Sequence, residues 1–440
     1  MAARLGERSL AEVHQEGLDE LLSDLALVHG GPLSNGWHAL GVPGLDSLLE
    51  VFAPNALSAK GGQHQSDSVP GQNRFMEQQA AEDEEMLLHS EALVQYVDSS
   101  TNVFFPYTSG TKTQQTPVLE IASSLSASGK SQLLYYLTAL AILPRQYGDL
   151  EIGGHEAAVA FIDTDDRFDA DRLRTVTRGI VLKRRAQFRP DVDTQPEDME
   201  VHDLETLLVS SLQHVHVFRP QSSSALLATL RTLDSYLFDL SRHRSTARSL
   251  HMVAIDSASA FLWRDRLRDE VARTEEIGRP RADIEREREQ KQSFQLTDLY
   301  SEVVTELKRL QCLFQCAIVY TATASGGRAS DPGYYDQPQS RVPSLRPALP
   351  MPWNTFPSLR LIVHRSSVRP FPPSMIARVA VNDAPSRQSV VQQGKISAWI
   401  NPWARDEWPR RIVEAIDATN GGSFSFYVHE SGVEITDPDD

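Results

Sequence analysis

Apolar positions along residues 117–144 change their period partway, and that change divides the stretch into three parts. Val118, Leu119, Ile121 and Ala122 supply a short apolar run of strand length. Leu133, Leu134, Leu137, Leu140 and Ala141 then recur at the spacing of one helical face. Small residues separate the two runs, so the pattern predicts a buried strand, a tight loop and a helix. Comparable apolar runs at 159–162, 215–218, 251–256 and 317–321 predict further strands, and helical periods at 224–240 and 294–314 fall between them. After 321 the alternation stops. Apolar runs at 359–363, 375–381, 396–400 and 424–435 read as added strands, the last with a turn at Ser431 and Gly432. Strand and helix in alternation predict an α/β fold: a mostly parallel sheet flanked by helices, with extra C-terminal strands.

The flanking segments differ in pattern. Residues 9–29 place Leu18, Leu21, Leu22, Leu25 and Val28 on one helical face ahead of a Gly-Gly-Pro stop, and 41–49 form a second short apolar element. Residues 60–116 are rich in Gln, Ser, Glu, Gly and Asp and sustain no period apart from a helical stretch at 84–97. The organisation expected is a docking segment at 1–59, an insertion without stable structure at 60–116 and a core at 117–436. Within that core, 266–293 carries both charge signs densely and reads as a solvated insertion. Residues 325–358, with seven prolines, read as a long mobile loop.

Charge narrows the partners. Lys and Arg number 43 against 59 Asp and Glu, a formal net charge of −16, which argues against coating nucleic acid through a broad basic surface. Any DNA contact should be local or shared with another chain. The two cysteines, Cys312 and Cys316, are one helical turn apart and make neither a zinc site nor a disulfide framework. No apolar run approaches the length of a membrane span, so no membrane role is expected.

Candidate chemistry sits in the small-residue loop: Ser124, Leu125, Ser126, Ala127, Ser128, Gly129, Lys130, Ser131. This departs from the phosphate-binding pattern G-x-x-x-x-G-K-[ST] only at its first position. Such a loop curls backbone N–H groups around phosphate oxygens at the positive end of a helix, which demands small side chains. Lys130 then faces the terminal phosphates, and the Ser131 hydroxyl holds Mg²⁺. Ser124 stands where glycine usually eases the backbone, and its presence keeps an ordinary serine-rich turn open as the alternative. The later apolar strands end in carboxylates, Asp163, Asp165 and Asp166 after one and Asp256 after another. At the ligand edge of a parallel sheet Asp256 is placed to hold hydrated Mg²⁺, or else it simply caps the following helix.

The order of these parts resembles the RecA-like recombinase ATPases, and among them the recombinase paralogues. The stretches that carry the resemblance are LYYLTALAILP at 134–144, FIDTDDRFD at 161–169, DSASAFLWRDR at 256–266 and FYVHESGVEI at 426–435. Residues 60–116 and 266–293 have no counterpart. The resemblance implies a RecA-like core that binds ATP and Mg²⁺. It also implies a nuclear role in homologous recombination, in a hetero-complex of recombinase paralogues that assists strand exchange on single-stranded or branched DNA. It places Asp165 where active recombinases use glutamate to position the attacking water, and Ala322, Thr323 and Ala324 where they carry a γ-phosphate-sensing glutamine. Together with Ser124 these departures imply weak or absent turnover, because a shorter side chain misplaces its carboxylate. Two rivals remain: a scaffold that binds no nucleotide, and a small-molecule kinase, which should carry a denser basic lid than the three arginines of 325–358.

Overall fold

A computed structural model of the protein describes residues 39–52, 116–188, 198–289, 294–324, 344–366, 371–372, 374–403, 405, 408–418 and 422–436. The expected helices at 9–29 and 84–97 and nearly all of the 60–116 insertion lie outside them.

Val118–Ser123 (β1) is buried along its whole length because parallel strands flank it on both edges and helices cover its faces. Its neighbours are Ala317–Thr323 (β7) and Leu359–Arg365 (β8). The one charged residue in β1, Glu120, is opposite Tyr320 and Arg360 in register and accepts hydrogen bonds from both, at 3.0 Å and 3.2 Å. Burial pushes its carboxyl upward and the Arg360 guanidinium opposes that shift.

The sheet grows outward from this centre. Beyond β7 come Leu250–Asp256 (β6), Ala158–Asp163 (β4) and Val215–Phe218 (β5), all parallel. Beyond β8 come Lys395–Ile400 (β9), Ser423–His429 (β10) and Gly432–Thr436 (β11), each antiparallel to its neighbour. The full order is β11-β10-β9-β8-β1-β7-β6-β4-β5, and a separate two-stranded ribbon joins Gln146–Tyr147 (β2) to Leu150–Glu151 (β3).

Lys130–Ile142 (α2) follows β1 and buries Leu133, Leu134, Leu137 and Leu140 against the sheet, each contributing about 1.5–3 kcal/mol. Ser223–Phe238 (α5) and Leu296–Phe314 (α8) pack their apolar stripes together, Leu226, Leu230 and Leu233 with Val303, Leu307 and Leu310, over alternate residues of β6 and β7. Ser222 caps α5 by accepting from the Ala225 N–H at 3.0 Å. Ala170–Phe188 (α3) and Asp198–Leu212 (α4) connect β4 to β5.

The structure corrects one expected strand and adds detail to three expected segments. Residues 375–381 do not form a strand: Ala377–Gln393 (α9) is a helix with no buried residue, and β9 already occupies the edge of β8 that such a strand would need. The 266–293 insertion is largely helical, built from Leu262–Glu275 (α6) and Arg281–Glu289 (α7). The boundary at 266 therefore falls inside a helix. The expected loop at 325–358 has a packed end, since Leu345, Leu349 and Trp353 are buried and Trp353 meets the rings of Tyr300 and Tyr320. Finally, Pro43–Val51 (α1) buries Leu45, Leu48 and Leu49 and packs on Arg410–Ala418 (α10), so this part of the N-terminal segment belongs to the core. Cys316 is buried just beyond the end of α8, whereas Cys312 is exposed on its last turn.

Candidate nucleotide site

A cleft of about 820 Å³ opens at the C-terminal edge of the parallel strands, the edge where such sheets take ligands. The whole loop from Leu125 to Ser131 lines it, together with Asp165 and Asp256. The sequence-predicted residues thus converge, with Ser124 at the exposed start of the loop beside them.

Gly129 sets the loop's shape. It caps α2 with φ of +93°, a left-handed value, and a Cβ there would run into Ile396 of β9 and Phe426 of β10. No side chain caps this helix end, so the first-turn N–H groups have no intrahelical partner and face the cleft as donors. A polyphosphate fits this donor set, because negative charge is favoured where the helix dipole is positive.

Lys130 is turned back on its own loop. Its Nζ donates to Ser123 Oγ at 2.6 Å and to the Leu125 carbonyl at 3.4 Å, while the Ser123 and Ser128 hydroxyls donate to that same carbonyl at 2.7 Å and 2.8 Å. Burial lowers the lysine's pKa, and the carboxylates of Asp256 and Asp165 work against that.

Asp256 ends β6 in register with Asp163 at the end of β4. It accepts a 2.5 Å hydrogen bond from Thr321 Oγ1 on β7. The peptide after it, Asp256–Ser257, is cis. Thr164 Oγ1 donates to the Ser257 carbonyl at 2.7 Å and accepts from the Ser257 N–H at 2.6 Å, tying the two strand ends together. Ser131 and Asp256 are the oxygen donors that could hold Mg²⁺ beside phosphates. Among the described residues no group of three or more His, Cys, Asp or Glu could hold a metal by itself.

The carboxylates after β4 divide their work. Asp163 is buried and accepts from the N–H groups of Arg167 and Phe168 at 3.0 Å and 2.9 Å, so it holds the turn. Asp166 lies 3.4 Å from Arg219 and does not line the cleft. Asp165 does line it, with its pKa raised by partial desolvation and by the neighbouring Asp256 carboxylate. Of the three positions that replace the sensing glutamine, Ala324 is buried in a cluster with Ala122, Leu345 and Ile362, and Ala322 in the larger core cluster that includes Ala258, Tyr320 and Trp353. Thr323 reaches the cleft, and its N–H is taken by Ser259 Oγ at 2.9 Å.

Sequence reasoning missed the far wall. Arg172 of α3 donates to Gln132 Oε1 at 2.7 Å and to the carbonyls of Glu430 and Gly432 at 3.1 Å and 3.2 Å, clipping the β10–β11 turn against the head of α2. His429 and Glu430 of that turn line the cleft. Nothing local in the sequence joins residue 172 to residue 430; only the folded sheet does.

Sheet order, the loop at the end of β1 and the carboxylate at the end of β6 define a RecA-like α/β core. Comparison with known proteins narrows the class. DNA repair protein XRCC2 homolog of Arabidopsis thaliana is 23% identical over 275 residues, which take in 57% of this chain and 69% of the plant protein. DNA repair protein XRCC2 of Mus musculus is 34% identical over 140 residues, covering 32% of this chain and 39% of the mouse protein. DNA repair and recombination protein RadA of Methanoculleus marisnigri is 27% identical over 134 residues, covering 30% of this chain and 33% of that protein. No protein-family model matches the chain. The chain thus has a RecA-like core and resembles recombinase paralogues of the XRCC2 kind.

Proposed function

We propose that this protein binds ATP with Mg²⁺ at the 124–131 loop and acts in DNA repair by homologous recombination. It works in the nucleus as one member of a hetero-complex of recombinase paralogues, which assists strand exchange on single-stranded or branched DNA. The observation that carries the nucleotide reading is the convergence of Gly129, Lys130 and Ser131 with Asp256 in one cleft. The repair and recombination reading rests on the relatives named XRCC2 and RadA.

Bound Mg²⁺ would neutralise phosphate charge. The chain's own residues would orient the ligand: the head of α2 donates N–H groups, Lys130 swings from Ser123 to the terminal phosphate, and Thr321 holds Asp256 in place. Asp165 is too short to position water as a glutamate would, so turnover is weak or absent. Within the 1–59 segment, the apolar stripe of Leu18, Leu21, Leu22, Leu25 and Val28, which precedes the part that joins the core, would dock the protein on a partner paralogue.

A second reading, a scaffold that takes no nucleotide, is favoured by one observation: Lys130 already has partners within its own loop. Calorimetric titration of the full chain with ATP and Mg²⁺ separates the two. Saturable binding that Lys130→Ala weakens supports the first reading, and no heat of binding at millimolar ATP supports the second. Gel shift with single-stranded DNA, alone and with the co-purified paralogue, tests the nucleic-acid part.

A further inference from the structure

Helix α6 is amphipathic in the wrong direction. Its inward residues include two carboxylates: Asp265 is buried and bonded to the Tyr300 hydroxyl at 3.2 Å, and Asp269 is buried and accepts from the Leu296 N–H at 3.0 Å. Its outward residues include large hydrophobics spaced by four: Trp263 is 71% exposed, Leu267 66% and Val271 49%. A helix on a monomeric surface ordinarily turns such a stripe to the core. Here the polar bonds to Tyr300 and Leu296 fix the helix's rotation, because turning the stripe in would carry both carboxylates out to water and leave the buried Tyr300 hydroxyl and the Leu296 N–H without their acceptors.

The stripe runs along one i, i+4 ridge, the row that packs into the groove of a second helix. Around its first two turns the exposed charges are cationic, Arg264, Arg266 and Arg268, because the acidic residues of that stretch, Asp265 and Asp269, face inward. Those guanidiniums are already oriented by protein groups: Arg264 stacks over Phe261, Arg266 over Trp263 and Arg268 over Phe294. Held flat against rings, they form a fixed basic rim about an apolar ridge. Nucleic acid would use the arginines and Trp263, but it has no use for Leu267 and Val271, whose side chains offer neither stacking nor hydrogen bonds.

We propose that the Trp263–Leu267–Val271 face of α6 is a protein docking surface. Its occupant is an amphipathic helix of a partner protein, with an apolar ridge bordered by Asp and Glu. The buried residues of such a contact would be the Trp, Leu and Val, with the arginines at the rim setting orientation and encounter rate. This surface is separate from the nucleotide cleft, and the proposal stands whether or not ATP binds.

The full-length protein carrying p-benzoylphenylalanine at position 267 is photo-crosslinked in its own cells, and the crosslinked peptide is sequenced. The expected result is a single adduct on a partner-protein segment with apolar residues at helical spacing flanked by carboxylates. In a second arm, Leu267→Asp with Val271→Asp should lower co-purification of that same partner by about tenfold or more, as loss of central interface contacts does. Leu313→Asp, which alters an exposed residue on α8, should leave it unchanged. Circular dichroism of both variants should match the parent. Adducts on nucleic acid, on a second copy of this chain or on a segment lacking that pattern would overturn the proposal, as would no adduct or undiminished co-purification.

Discussion

Lys130 and Ser123 are joined by a 2.6 Å hydrogen bond, so the cation of the phosphate loop is held by the strand that launches the loop. Ligand binding must exchange that bond for contacts with phosphate. Removing the lysine removes both. Lys130→Ala should weaken ATP affinity tenfold or more, roughly 1.4 kcal/mol, in an isothermal titration with Mg²⁺ present. Affinity equal to the parent's would contradict the assignment of this residue.

Turnover should be at or near background. Asp165 lines the cleft, yet its carboxylate hangs one methylene short of the reach a glutamate has. Loss of a positioned catalytic group typically costs about two to four orders of magnitude. Asp165→Ala should therefore change phosphate release less than about twofold, since there is little positioned catalysis to lose. A robust steady-state rate that this substitution abolishes would sink the expectation.

Gly129→Ala should destabilise the fold as well as the site. The added methyl meets Ile396 and Phe426 in a backbone conformation that L-residues rarely adopt. Left-handed strain alone costs about 1–3 kcal/mol, and displacement of the β9 and β10 side chains adds to it. Urea unfolding followed by fluorescence would measure the loss, and an unshifted midpoint would show that the strands yield freely.

Arg172→Ala should loosen the far wall. Three hydrogen bonds from one guanidinium pin the β10–β11 turn and Gln132. At about 1–3 kcal/mol for losing such charge-assisted contacts, amide exchange across 425–436 should accelerate roughly tenfold to a hundredfold. Exchange in β5, at the opposite edge, should not change.

Acid should weaken the protein through a buried histidine pair. His214 Nδ1 and His216 Nε2 both contact Ser245 Oγ, at 2.8 Å and 2.9 Å, and burial pushes each ring down to about 4 from an ordinary 6.5. Between those values the unfolded chain binds more protons than the folded one, so stability is full above about 6.5 and falls as pH drops toward 4. His216→Asn should flatten that fall while lowering stability at pH 7. Denaturant midpoints at a series of pH values would read both effects, and an unchanged slope would remove this pair as the cause.

The central sheet was legible because its strands are buried on both faces, and residues such as Val159–Ile162 therefore read as unbroken apolar runs. The loop after β1 was legible as a candidate phosphate site because few other structural roles call for glycine, lysine and serine in succession at a strand–helix junction. Residues 375–381 misled because Met375, Ile376, Val379 and Val381 carry apolar character with no burial behind it; Ile376 and Val381 are 67% and 70% exposed. Composition cannot report whether a sheet edge is already filled. The Arg172 clip, the Thr321 bond to Asp256 and the Thr164–Ser257 clasp all join residues far apart in the chain, so no local pattern marks them.

Polypeptides emerge from the ribosome in order, and the loop around Gly129 appears long before Ile396 and Phe426, which fill the space its missing side chain leaves. Until those strands arrive, the cleft has no far wall and Arg172 has no turn to hold. A frameshift or stop codon after residue 393 would thus release a chain with an intact phosphate-loop motif and an apolar flank exposed beside it. The expected fate of such a product is clearance by quality control, with no partial nucleotide binding left behind.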